Sequence, residues 1–263
     1  TDQQRQSLAQ LFGCVRVVWN DALALSKATK YPGYNSLAKT LTQSKTTLER
    51  QWLNDVSSVA LQQSLKQLEV AYKNYFDSLK GKLKGKKVGQ PKFKRKLNAQ
   101  SAAFTKAGFG VKGDFVYLAK IGNVKPIWSR ELPSNPSSVT VIKDAANRYF
   151  LSFVVEIEPV QVEAKNQSRR SYLATAGAIG IDLGIKTFAA MSNGEMVKSP
   201  DYSKLDKRLR RKQKQLARQE SGSKRREKTR LQIAKLHNEI ADTRKDFLHK
   251  LSTRVVNENQ VIT

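Results

Sequence analysis

Between residues 2 and 30 the apolar positions Leu8, Leu11, Phe12, Val15, Trp19, Ala22 and Leu23 recur at three- and four-residue spacing. That is the period of an α-helix with one apolar stripe. Tyr31-Pro32-Gly33 breaks it. A short helix is predicted from Ser36 toward Leu48. A longer one follows from Ser57 to Leu79, with Leu61, Leu65, Leu68, Tyr72, Tyr75 and Phe76 on its apolar face. The first eighty residues therefore read as a helical bundle.

From Gly108 to Val162 the period falls to two. Phe115–Leu118, Ser138–Ile142 and Tyr149–Val155 read as strands, separated by turn signals at Gly113-Asp114, Pro133 to Ser137 and Ala145 to Asn147. This predicts a small antiparallel β-barrel or sheet. The polar stretch from Glu163 to Ser171 reads as a linker. Ala178 to Met191 then reads as a buried strand ending near Leu183, a glycine-assisted turn and a second strand. Asn193-Gly194 supplies a favoured two-residue turn into Glu195-Met196-Val197. Lys204 to Lys250 is helical, interrupted by Ser221-Gly222-Ser223, and Leu236, Ile240, Phe247, Leu248, Leu251 and Val255 keep core-facing spacing.

Charge changes the picture most. The 263 residues hold 48 Lys and Arg against 22 Asp and Glu, a net charge of +26. Such self-repulsion suits a polyanionic partner whose condensed counterions are released on binding, and does not suit an enzyme of small neutral metabolites. A hydrophobic share of 39% still provides for cores, so the chain is not a disordered basic tail. From Ser78 to Gly113 there is no acidic residue, while lysines accumulate around glycines and Pro91. This run reads as a basic loop, with Phe93 and Phe104 set to meet a base or sugar while lysines follow phosphates. The bland alternative is a solvated linker. No run of consecutive residues approaches the roughly 18 to 20 apolar residues of a membrane span. The single cysteine, Cys14, lies in an apolar stretch, excludes an intrachain disulfide and reads as a buried thiol in a reducing cytoplasm. The chain opens on Thr1 and closes on Thr263 directly after Val261-Ile262, so both ends of a longer protein are expected to be missing.

Candidate chemistry centres on Gly180-Ile181-Asp182-Leu183-Gly184. A lone carboxylate near the end of a hydrophobic strand needs a partner if it is buried, and a divalent cation is a good one. RNase H-like nucleases and actin-like ATPases both open with such a strand and hairpin, and the motif alone does not choose between them. The charge favours a polynucleotide substrate. Asp182 capping a turn is the structural alternative. His237 and His249 have no Cys or His at ligand spacing.

Several segments together resemble the TnpB family, transposon-encoded nucleases related to type V CRISPR effectors. Leu61-Gln62-Gln63-Ser64-Leu65 with Ala71 to Phe76 resembles the family's helical signature. Gly89-Gln90-Pro91-Lys92-Phe93-Lys94 is similar to its Gly-x-Pro-basic-Phe-basic loop. Gly180 to Lys186 resembles the first RuvC motif, and Asp246 to Ser252 resembles the helix before the second. The order of the matches, rather than any one of them, carries the resemblance.

The resemblance implies an α+β multidomain protein: a helical recognition lobe at residues 1–84, a basic loop and wedge-type antiparallel β-barrel at 85–172, and at 173–263 the N-terminal part of an RNase H-like RuvC domain with a basic helical hairpin. It implies RNA-guided binding of double-stranded target DNA beside a short motif, with guide RNA as partner and base pairing reading the target. Tyr34, Gln62 and Thr105 match positions that contact the motif. Lys73, Lys92, Phe93 and Lys94, with Arg208 and Arg211 of the hairpin, are the other expected nucleic-acid contacts. Asp182 matches the first catalytic, metal-binding aspartate. The family's companion glutamate and aspartate, and the four cysteines of its zinc ribbon, are not in this sequence. Mg²⁺ is therefore expected to need carboxylates from outside this chain, Zn²⁺ is expected only in a C-terminal part, and the fragment is expected to be inactive alone. The expected setting is the nucleoid of a bacterial or archaeal cytoplasm, with no membrane. A cleavage-dead RNA-guided DNA-binding repressor is the alternative that stays open, and an actin-like ATPase is disfavoured by charge.

Overall fold

The computed structural model describes residues 1–157, 178–259 and 261–263. The chain divides into two compact units, Thr1–Ile157 and Glu158–Thr263. The expected linker at Glu163–Ser171 lies outside the described residues.

In the first unit, α1 (Asp2–Ala28), α2 (Tyr34–Ser44) and α3 (Ser58–Leu79) form the helical part, with a 3₁₀ turn at Gln51–Asp55. Helix α1 begins with a capping box, in which the Thr1 hydroxyl accepts from the Gln4 N–H and Gln4 reaches back to the Thr1 backbone. Its stripe, with Val18 added, buries against Ala60, Leu61, Leu65 and Leu68 of α3. By length and composition α1 is long and apolar enough to cross a membrane. This differs from the expectation that no stretch approaches a membrane span, because the apolar residues around Arg16, Asn20 and Asp21 outweigh them. Here its apolar stripe is part of the core of this unit.

The strands are β1 (Gln100–Thr105), β2 (Phe109–Lys112), β3 (Phe115–Leu118), β4 (Gly122–Val124), β5 (Ser138–Lys143) and β6 (Tyr149–Val154). They make two three-stranded antiparallel sheets, β1-β5-β6 and β2-β3-β4. The expected barrel is not closed among the described residues, because pairing stops at β4 and β6. Residues 100–105, read as part of the basic loop, form strand β1. Ala102 and Phe104 alternate inward opposite Val141 and Val139. Phe104 is therefore a fully buried core residue, not a ring offered to a base. Gly108 sits in the β1–β2 turn with little room beside it: a Cβ there would lie 3.1 Å from both Phe104 and Val59. One hydrophobic cluster runs from the helices into both sheets.

In the second unit, β7 (Ala178–Ile179) and β8 (Ile181–Leu183) follow one another across Gly180. On one side β8 pairs antiparallel with β9 (Ala189–Met191), which pairs with β10 (Met196–Val197). On the other side β11 (Val261–Ile262) runs parallel to β7. Gly180 joins the two ladders. Its carbonyl accepts from Ser192 N–H at 2.9 Å, while its neighbours Ile179 and Ile181 bond to Thr263 at 2.9 Å each. Gly194, at φ 87°, takes the left-handed position of the Asn193-Gly194 turn. Between β10 and β11 run α4 (Ser203–Ala217) and α5 (Lys224–Glu258), packed as a helical hairpin. The end of α5 covers one face of the sheet, Leu251 and Val255 meeting Ile179, Ile181, Met191 and Val197.

Candidate nucleic-acid interface

The basic loop is strapped to α1. The Asn20 side chain makes both hydrogen bonds that a neighbouring strand would make to Lys94: its Nδ2 donates to the Lys94 carbonyl at 3.0 Å, and its Oδ1 accepts from the Lys94 N–H at 2.8 Å. The Trp19 indole N–H donates to the Lys92 carbonyl at 3.0 Å. Lys27 lies 4.8 Å from the centre of the Phe93 ring, and Arg16 donates to Gln100 at 2.9 Å. Successive turns of α1 thus hold residues 92–100. The linker alternative does not describe this stretch, because a free linker keeps its backbone groups in water.

The anchoring separates lysines that look alike in the sequence. Lys92 is exposed, as are Arg95 and Lys96. Lys94 instead lies over Trp19, its ammonium 4.0 Å from the ring centre, and burial holds it below the ordinary lysine range. Phe93 stays about half exposed, with Lys27 over its ring. Trp19 was legible only as an apolar helix position, and Asn20 not at all. The available signals were an indole N–H needing a partner and an amide beside an apolar stripe.

Tyr34, Gln62 and Thr105 come from three elements linked through α3. The Lys66 ammonium sits 5.2 Å from the centre of the Tyr34 ring. Gln62 is exposed one turn before Lys66. Three residues earlier, Val59 packs at the turn that follows Thr105, held by Gly108 N–H donating to the Thr105 carbonyl at 2.8 Å. Lys73 continues the exposed side of α3 two turns beyond Lys66. Lys66 was missed in the sequence, where it was one lysine among many.

In α4, Lys204, Lys207, Arg208, Arg210, Arg211, Lys212 and Lys214 face a single acid, Asp206. Arg208 and Arg211 are exposed, while Leu205, Leu209 and Leu216 are partly buried. The α4–α5 turn is closed by Arg226, which donates to the Leu216 and Gln219 carbonyls at 2.8 and 2.7 Å. The Ser223 hydroxyl accepts from the Arg226 N–H and starts α5. A cation thereby meets the carbonyl end of α4.

Asp182 pairs with Ala190 in the β8–β9 ladder and is exposed. The strand read as buried is only partly so: Asp182 and Leu183 are exposed, the latter 69%, and alternation along the strand turns Asp182 away from the face that α5 covers. No group of three or more His, Cys, Asp or Glu suited to a metal ion occurs among the described residues.

Comparison with known proteins points the same way along the whole chain. Residues 152–263 match the OrfB_IS605 family model, described as a probable transposase, and residues 1–31 match a helix-turn-helix model of the same family. Within the latter, Asp2–Ala28 is one continuous helix. A Streptomyces pristinaespiralis protein named "Putative RNA-guided DNA endonuclease" is 38% identical over 274 residues, covering 100% of this chain and 63% of its own length. The Escherichia coli K12 protein InsQ, under the same name, is 31% identical over 270 residues, covering 99% of this chain and 62% of itself. A Mycobacterium tuberculosis relative so named is 27% identical over 218 residues, 78% of this chain and 46% of that protein. The chain thus spans a little under two-thirds of the length of the first two.

Proposed function

The chain belongs to the TnpB family, the OrfB lineage of transposon-borne proteins, and from that membership we propose that it works as part of an RNA-guided DNA endonuclease. The observation that carries the reading is the end-to-end alignment with relatives bearing that name, on a chain of net charge +26. The strap on α1 and the exposed sides of α3 and α4 each present exposed cations, among them Lys92, Lys73, Arg208 and Arg211, suited to phosphates. On this reading guide RNA pairs with one strand of a double-stranded target, Tyr34, Gln62 and Thr105 meet the adjacent short motif, and the protein works at the nucleoid.

The same reading takes the helices as a recognition lobe, the two sheets as a wedge, and the second unit as the beginning of a RuvC-like domain. It is supported by the sheet in which β7–β8 has an antiparallel hairpin on one side and a parallel strand, reached through a helical crossover, on the other. In such a domain Mg²⁺ would activate the water that cleaves the phosphodiester. The described residues do not complete a site for it: Asp182 offers one exposed carboxylate. Further carboxylates would have to come from outside the described residues, and a four-cysteine zinc ribbon from outside these 263 residues, which hold one cysteine. Asp182 itself stands on β8, paired with Ala190, on the face that α5 leaves open.

Retention of Asp182 favours a nuclease over a cleavage-dead repressor. RNA bound to the purified chain should be recovered and sequenced; one discrete species encoded beside the gene is the expected result. With that RNA, the complete protein should cut a matched duplex in Mg²⁺, and Asp182→Ala should bind the duplex without cutting it. Purified chain that carries no RNA and ignores nucleic acid at low salt would overturn the reading.

A further inference from the structure

The sheet β2-β3-β4 buries one face and shows the other. Val116 and Leu118 point into the core, so the alternate residues Phe115 and Tyr117 stand on the open face, 44% and 45% exposed. The ladder fixes their neighbours. Tyr117 lies between Gly110 and Asn123, and Phe115 lies opposite Lys112. Directly after β4, Lys125 brings its ammonium 5.8 Å from the centre of the Phe115 ring. A shallow cavity of about 320 Å³ is lined by Phe109, Gly110, Lys112, Tyr117 and Asn123.

Each feature answers one part of an unpaired nucleotide. Gly110 puts no side chain beside the Tyr117 ring, and a Cβ built there would meet nothing within 4 Å, so the ring has open space on that side. Aromatic rings on an open sheet, with space above them, stack bases regardless of sequence. Lys112 and Lys125 are exposed to flanking phosphates, with the acid Asp114 in the hairpin turn between β2 and β3. The Asn123 amide, a donor and an acceptor beside the ring, suits a ribose 2′-hydroxyl, which DNA lacks. A duplex hides its base faces and cannot use the platform.

We propose that the open face of β2-β3-β4 is a stacking site for unpaired nucleotides of bound RNA, with Tyr117 and Phe115 as the platform and Gly110 keeping it clear. The proposal rests on the RNA-guided reading above. The test measures binding of the whole chain to a short unstructured oligouridine RNA, the matching oligodeoxyuridine, and an RNA duplex of equal length. Tyr117→Ala should weaken the single-stranded RNA on the order of tenfold. It should leave the duplex, and the slope of affinity against salt, unchanged, since no phosphate contact is removed. Gly110→Val should do the same with Tyr117 intact. Its side chain enters open space, so the fold, checked by thermal melting, should be kept even if Tyr117→Ala disturbs it. Ultraviolet crosslinking of the oligouridine should map to residues 109–118. Equal losses on duplex and single strand, no loss, or a larger effect on the DNA strand would overturn the proposal. If native RNA still co-purifies in that event, the RNA-guided reading survives; if none ever does, both fall.

Discussion

Asn20→Ala removes the two hydrogen bonds that fix Lys94 to α1, at 2.8 and 3.0 Å, and supplies nothing in their place. Each is worth about 1 kcal/mol net, and both freed backbone groups can be rehydrated only if the strap lifts, so anchoring weakens by about 2 kcal/mol. Alanine's better helix propensity acts on α1 whether the strap is closed or lifted, so it does not offset this loss. About 2 kcal/mol corresponds to roughly a thirtyfold rise in local opening. The assay is hydrogen exchange of the Lys94 amide, which in the native protein donates to Asn20. Exchange should accelerate about thirtyfold at Lys94 while amides of α1 at Phe12 and Val15 keep their rates. Asn20→Asp, which keeps the acceptor and loses the donor, should fall between. An unchanged Lys94 rate would refute the anchored strap. Uniform acceleration across the first unit would show that Asn20 supports the core instead.

Burial, and next the charge of Asp55, push the Cys14 thiol up to about 11. It should resist iodoacetamide near pH 8 in native protein and react after denaturation, as followed by mass spectrometry. For Asp144, burial alone would raise the carboxyl, but hydrogen bonds from the Arg148 side chain and from the Arg148 and Ala146 N–H groups outweigh it and hold it below the usual range. A depressed carboxyl stabilises the fold above its unfolded pKa, near about 4, and that contribution is lost as pH falls through the lower folded value. Asp144→Asn should therefore lower the melting temperature at pH 7 and flatten its fall on acidification; parallel wild-type and variant curves would contradict this. Arg226→Ala should leave the Leu216 and Gln219 carbonyls unpaired and loosen the α4–α5 turn by about 2 kcal/mol. Faster exchange confined to residues 216–223 is the expected readout.

Much of this molecule was legible in its sequence, because helix and hairpin signals are local. The stripe of α1, its stop before Gly33, the Asn193-Gly194 turn and the break at Ser221 to Ser223 each follow from residues a few positions apart. The order of the motifs along the chain pointed to the family, and the surplus charge to a polyanionic partner. What the sequence could not decide were pairings between distant residues. That Lys94 turns inward over Trp19 while Lys92 stays in solvent depends on partners more than seventy residues away. Two separate sheets instead of a barrel, strands within the acid-free run, and the parallel pairing of β11 with β7 arise in the same way. So does the exposure of Asp182, which follows from which face of its sheet α5 covers. Periodicity fixes which residues share a face. Only tertiary packing decides what, if anything, that face meets.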